Sequence, residues 1–261
     1  MDFGIAGKRA LVLASSRGLG RAVAEALAAE GAHVLLTGRD EARLAEAVAA
    51  IRAAGGTAEA RVIDLAAETA VADVAAAVEA VHGGLDILVN NTGGPPPGRM
   101  VDADPAVMRT QFEVMVMRLV EITAHFVPGM RAQQWGRIIT VASSGVIQPL
   151  PNLGLSNALR GALVGWSKSL STDLAADGIT VNMILPGRIH TERVDQLDEA
   201  AAKRTGQSLE ATREAARGAI PAGRYGAPSE FGAVAAFLAS TQASYVTGSQ
   251  IRVDGGAIKS V

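Results

Sequence analysis

The sequence predicts an α/β protein built on a doubly wound parallel sheet, three layers (α/β/α) folded as a single domain. Three observations carry this. The chain has 261 residues, comfortable for one large α/β domain and short for two. Apolar residues make up 49% of it, enough for a sizeable core and too many for disorder. Apolar strand-like runs alternate with Ala-rich helical patterns along its whole length, with no break in composition.

Taken in order, Ala10–Leu13 reads as a buried strand and Arg21–Glu30 as a helix stopped by Gly31. His33–Thr37 is the second strand, and Glu41–Ala54 the second helix, closed by Gly55-Gly56. Thr57–Ile63 and Asp86–Asn90 are strands around a helix at roughly Glu68–His82. Ile138–Val141, Ile179–Leu185 and Gln250–Val253 complete the strands. Right-handed crossovers then bring every strand's carboxyl end, and with it the ligand crevice, to one rim. The helical segment at about 191–220 interrupts the rhythm and reads as a lid or substrate-binding insertion. The loop Thr92–Asp104, stiffened by Pro95-Pro96-Pro97, reads as a wall on the same rim.

Charge excludes several classes of function. Lys and Arg number 24 against 26 Asp and Glu, a net charge of −2, so nothing marks a nucleic-acid or anionic-membrane partner. The absence of cysteine removes disulfides, thiolate catalysis and Cys-based metal sites. His33, His82 and His125 have no metal-ligand spacing, so no metal is expected. The apolar run after Lys8-Arg9 is too short for a signal-peptide core, and no stretch could span a bilayer. The expected location is the cytoplasm.

The first strand runs through Ala14-Ser15-Ser16-Arg17-Gly18-Leu19-Gly20 directly into a helix, where a dinucleotide pyrophosphate sits against a helix amino terminus. Ser15 and Ser16 add hydroxyl donors. At the end of the second strand, Thr37-Gly38-Arg39-Asp40 puts the cation Arg39 where an NAD site wants a carboxylate. Arg17 reaches toward the same phosphate. These residues favour NADP(H) over NAD(H).

Further patterns follow in order: Asp64-Leu65, Asn90-Asn91-Thr92-Gly93, Val141-Ala142-Ser143-Ser144, Ser167-Lys168-Ser169-Leu170, Val181-Asn182, Pro186-Gly187 and Val253-Asp254-Gly255-Gly256. Over nearly the whole chain this ordered set resembles the short-chain dehydrogenase/reductase family, most closely its β-ketoacyl-acyl-carrier-protein reductase type. The resemblance implies a Rossmann-type fold and a set of cofactor contacts. Backbone at Ser15, Ser16, Arg17, Gly18 and Leu19 would face the pyrophosphate and adenosine ribose, with Gly20 in the same turn. Asp64 and Leu65 would flank the adenine. Asn91, with Gly93 beside it, would lie by a ribose. After Pro186 and Gly187, Ile189 would bond the carboxamide through its backbone, with Thr191 in support. It also implies a homotetramer or homodimer and a small-molecule substrate.

The family delivers a proton from a Tyr whose pKa a Lys one helical turn on lowers, with a Ser orienting the carbonyl and an Asn completing a relay. Ser143 stands at the serine position. The tyrosine and lysine positions read Ser156 and Arg160, the asparagine position falls near Met115, and the first glycine of the turn is Ala14. Tyr225 and Tyr245 are each followed four residues on by serine, so no shift of register restores the pair. Arg160 keeps a cation, Ser156 keeps a hydroxyl that is a poor acid, and Met115 relays no proton.

Three readings stay open. The chain is an NADP(H) oxidoreductase drawing its proton from water or another group, with His190 the nearest titratable side chain. It is a redox-inactive nucleotide-binding pseudoenzyme or sensor subunit. Or Ser143, Ser156 and Arg160 serve a non-redox reaction, an arrangement distantly similar to the halohydrin dehalogenases. The substrate pocket is expected between Gly93–Met100, Gly145–Leu155 and Thr191–Ile220. Pro149, Leu150, Pro151 and Leu153 make it apolar, which suits a hydrophobic or acyl carbonyl compound.

Overall fold

The structure, a computed structural model, describes residues 2–260. Seven strands form one parallel sheet: β1 (Arg9–Val12), β2 (His33–Gly38), β3 (Thr57–Val62), β4 (Ile87–Asn90), β5 (Gly136–Val141), β6 (Ile179–Pro186) and β7 (Gln250–Val253). Their order is β3-β2-β1-β4-β5-β6-β7. The reversal falls between β1 and β4, where Leu11 pairs with Leu35 on one side and Leu88 on the other. A crevice opens at such a point in a doubly wound sheet. Strands β1, β4 and β5 are almost wholly buried because helices cover both of their faces.

Helices α1 (Gly18–Ala29), α2 (Glu41–Ala53) and α9 (Pro228–Ala239) lie on one face. Val12, Val23, Leu27, Val34, Leu36 and Phe231 pack that side. On the other face lie α3 (Ala70–His82), α4 (Pro105–Phe112), α5 (Arg118–Ala132) and α6 (Gly154–Leu174), where Leu11, Leu35, Val74, Leu119, Leu159 and Val181 form a second core. The segment after β6 folds as two helices, α7 (Glu192–Thr205) and α8 (Leu209–Gly218), joined through Gly206.

Some boundaries differ from those the sequence predicts, for physical reasons. Helix α1 begins at Gly18 rather than Arg21, because the glycine turn is itself the first helical turn. β5 begins at Gly136, two residues early, and takes Arg137 into the core at 2% exposure. The Arg137 guanidinium donates to the carbonyl oxygens of Ser240, Gly136 and Gly178 and lies 4.4 Å from the Trp135 ring. Burial pushes it down to about 10. Between α4 and α5, Glu113–Met117 makes one wider, π-type turn.

At the amino end of the sheet, the β1–β4 junction is locked by an ion pair. Asp86 accepts hydrogen bonds from the backbone N–H of Arg9 at 2.8 Å and from its Nε at 2.9 Å, and a third from Nη2 at 2.8 Å. Burial raises the Asp86 carboxyl, but the bonds from Arg9 outweigh it and hold the group below the usual carboxylate range.

Candidate active site

The carboxyl ends of β1, β2, β4, β5 and β6 converge on one cleft of about 1300 Å³. Its floor at one end is the turn between β1 and α1. Arg17, at the N-cap of α1, makes no side-chain cap, so the first amide groups of the helix are left for an incoming acceptor. Gly20 is obligatory here: a Cβ would lie 2.6 Å from the Ala14 carbonyl oxygen and 2.8 Å from Asn91 Nδ2. Gly18 sits at φ +58° and Ala14 at φ +47°, so one non-glycine residue carries left-handed strain in this turn.

One assignment changes. Ser15 is fully buried: its N–H donates to Thr37 O at 2.7 Å and its Oγ to Val12 O at 2.7 Å. It fastens the turn to β1 and β2 and has no donor left for a phosphate, whereas Ser16 does line the cleft. The side chain of Asn91 donates to Leu13 O and Ala14 O, bracing the turn from β4 while remaining in the cleft wall.

At the end of β2, Arg17 and Arg39 both line the cleft, joined by Arg43 from the first turn of α2. Sequence reasoning missed Arg43; its spacing of four from Arg39, across the helix start, is the signal that could have found it. Asp40, at the cleft edge, caps α2, accepting from the Arg43 N–H at 3.1 Å. Glu192, the first residue of α7, pairs with Arg17 and with Arg43, the latter at 2.8 Å. Hydrogen bonding from Arg43, then Arg17, holds its carboxyl low.

Asp64 and Leu65 line the cleft beyond β3, with Leu65 buried. Gly93, Pro186, Gly187, Ile189 and Thr191 line the far side. Ile189 is buried and bridges in strand fashion to Gly226, so its neighbour His190 faces away: it is exposed, 3.8 Å from Asp195 and outside the cleft lining. His190 is therefore not placed to donate a proton within the cleft.

Ser143, Ser156 and Arg160 all line the cleft with Met115, which the π-type turn carries inward. Ser143 Oγ accepts from the Gly145 N–H at 3.0 Å. Ser156 and Arg160 stand one turn apart on α6. Arg160 is buried and donates from Nη1 to Val141 O at 2.9 Å. Burial, aided by the charge of Arg193, pushes it down to about 10, so it remains a cation at neutral pH.

The three segments expected as walls contribute Gly94, Pro97, Leu150, Pro151, Leu153 and Leu197 to the lining. Helix α7 is held over the cleft by Asp198, fully buried, which pairs with Arg188 and accepts from Tyr225 Oη at 2.8 Å, with Arg213 at 3.8 Å. Among the described residues there is no group of three His, Cys, Asp or Glu fit to hold a metal, and no helix long and apolar enough to cross a membrane.

A family model described as enoyl-(acyl carrier protein) reductase matches residues 13–257. The 3-oxoacyl-(acyl-carrier-protein) reductase FabG of Escherichia coli is 34% identical over 259 residues, covering 96% of this chain and 97% of its own. Dehydrogenase/reductase SDR family member 4 of Oryctolagus cuniculus is 35% identical over 257 residues, 97% of this chain and 94% of its own. Among solved structures, L-sorbose reductase from Gluconobacter frateurii, in complex with NADPH and L-sorbose, superposes with a TM-score of 0.93 at 35% identity over the full length of both chains. Fold, turn and near-complete coverage agree: the chain belongs to the short-chain dehydrogenase/reductase family.

Proposed function

We propose that the protein is an NADP(H)-dependent oxidoreductase acting on a carbonyl or hydroxyl group of a hydrophobic or acyl substrate, with Ser156 and Arg160 replacing the family's Tyr and Lys. The observation that carries this reading is one continuous cleft with an uncapped helix start and three arginines at one end, and Ser143, Ser156 and Arg160 at the other. The dinucleotide would be held by the first amides of α1, with Arg17, Arg39 and Arg43 for the 2′-phosphate and Asp64 and Leu65 for the adenine. When bound it supplies or accepts a hydride. L-sorbose reductase, solved with NADPH, supports the choice of nucleotide.

Within the substrate end, Ser143 orients the carbonyl oxygen and Arg160 is a fixed cation for the charge that develops on it. Ser156 is too weak an acid to be the source of the proton, so water entering the cleft provides it. The apolar wall at Leu150, Pro151 and Leu153 suits a hydrophobic body. A homotetramer or homodimer is part of the proposal, supported by the fully exposed Tyr245 and by open space over Gly161 and Gly165 on α6. The cytoplasm remains the expected location on the sequence grounds already given.

The test is calorimetric titration of the purified protein with NADPH and NADH, followed by a carbonyl-substrate screen that reads NADPH oxidation. Tight NADPH and weak NADH binding is expected, and Ser156→Tyr combined with Arg160→Lys should raise turnover. Binding of neither nucleotide overturns the reading.

A further inference from the structure

Among the described residues, two guanidinium groups of the cleft that are withdrawn from solvent face no carboxylate. Arg160 makes one hydrogen bond, to Val141 O. Arg193, half-buried in the first turn of α7, makes one, from Nη2 to Pro95 O at 2.8 Å. A guanidinium has five N–H donors, so most of each fork is unspent. The carboxylates that line the same cleft are engaged elsewhere. Asp40 caps α2, Asp64 accepts from the Ala66 N–H, and Glu192 is held by Arg17 and Arg43. Arg188, also in the lining, is paired with Asp198. Arg39 and Arg204 also line the cleft without an ion pair among the described residues, but both are exposed, so burial is what sets Arg160 and Arg193 apart.

The placement of Arg193 is built into the chain. Its guanidinium lies on the backbone of Gly94, where a Cβ would come within 3.0 Å of Nη2. Gly94 provides the berth and the Pro95 carbonyl fixes the orientation. Burial depresses both guanidiniums, and the positive charge of Arg193 adds to the effect on Arg160. Two like charges left unpaired in a partly desolvated cavity are costly, and an anion arriving between them removes that cost.

That anion has two sources, the dinucleotide's phosphates or the substrate. The amides that suit a pyrophosphate lie at the start of α1, beside β1. The Arg160 guanidinium, reaching from α6, bonds the end of β5, two strands away in the sheet order, a separation of about 10 Å. It shares that end with Ser143 and Ser156, and next to it the wall is apolar, with Leu150, Leu153 and Leu197. We propose that Arg160 and Arg193 together bind a carboxylate of the substrate, so that the compound transformed in this cleft is an oxo acid or hydroxy acid with an apolar body. This rests on the oxidoreductase reading above for the transformation, but not for the binding.

The experiment is calorimetry on the full chain, with and without saturating NADP+, using hexanoate and its uncharged counterpart hexanamide as probes. Hexanoate is expected to bind at least ten-fold tighter than hexanamide. Arg193→Met should abolish that preference and Arg193→Lys should restore part of it, a rescue that a purely structural role would not produce. Equal binding of the two probes, binding of neither, or a preference that survives in Arg193→Met overturns the proposal. So does a loss of NADPH affinity in Arg193→Met with the hexanoate preference intact, which would assign the pair to the dinucleotide. Hexanoate preference in a protein that binds no dinucleotide would leave the carboxylate site standing and sink only the redox reading.

Discussion

The anchoring of α7 by Asp198 yields the sharpest mutational prediction. Asp198→Asn keeps the shape of the side chain but removes the charge that pairs with Arg188 and Arg213 in a fully buried position. Tyr225 Oη can still donate to the amide oxygen, so that 2.8 Å bond survives. Breaking a buried pair from one side costs about 3–5 kcal/mol, and the partial exposure of Arg188 argues for the lower figure. At about 2 °C per kcal/mol for a chain of this size, the melting temperature should fall by roughly 6 °C if the loss is felt globally. The pair joins α7 to the loop after β6 rather than strand to strand, so the damage should be local. Hydrogen exchange followed by mass spectrometry should show faster exchange in 192–218 with β1, β4 and β5 unchanged. Because Leu197, Ala200, Ala201 and Arg204 line the cleft, the KM of any substrate should rise more than kcat falls. Unchanged exchange in that segment together with an unchanged melting temperature would refute the argument.

Three further predictions follow from the site and the sheet. Arg39→Ala and Arg43→Ala should each weaken NADPH by roughly ten-fold, the scale of a lost hydrogen bond to a charged group, and leave NADH within two-fold; calorimetry reads both. Ala14→Gly removes left-handed strain worth about 1 kcal/mol, offset in part by about 0.4–1 kcal/mol of added chain entropy in the unfolded state. Its melting temperature should stay level or rise slightly while dinucleotide affinity improves, and a clear drop would show that the methyl group is packed. Asp86 has a carboxyl held below its unfolded value, so the stability it brings is complete above pH ~4 and is lost as pH falls through the lower, folded value. Urea titrations from pH 6 down to pH 3 should therefore show wild type losing stability more steeply than Asp86→Asn.

The strands were legible because burial on both faces leaves an unbroken apolar run, as at Leu11, Leu88 and Ile139. The reading failed at Arg137, where a charged residue sits inside such a run and is satisfied by three carbonyl oxygens and a ring. No local pattern announces those partners, since Gly178 and Ser240 are distant in sequence. At the site, the glycine turn was visible by its place after β1, but the division of labour between Ser15 and Ser16 depends on which hydroxyl the β1–β2 junction consumes. His190 looked close to the chemistry because it adjoins Ile189, yet extended backbone sends successive side chains to opposite sides. Arg43 and Arg193 were missed for a common reason: each lies near a helix start, where a charged residue reads as solvated surface until a partner distant in sequence, Glu192 for Arg43 and the Pro95 carbonyl for Arg193, fixes it at the cleft.

The sheet order also bears on how the molecule assembles. Strand β2 follows β1 after a short helical connection, so the three amino-terminal strands can pair through contacts close in sequence. β4 must then slot against β1 across a separation of 77 residues, the span closed by the hydrogen bonds between Arg9 and Asp86. Contacts so far apart form late, because the entropy of closing the intervening chain is lost before they repay it. Asn91, which braces the nucleotide turn, arrives with β4. A binding-competent turn therefore cannot precede this closure, and recovery of dinucleotide affinity during refolding reports the insertion of β4 rather than the earlier growth of helix.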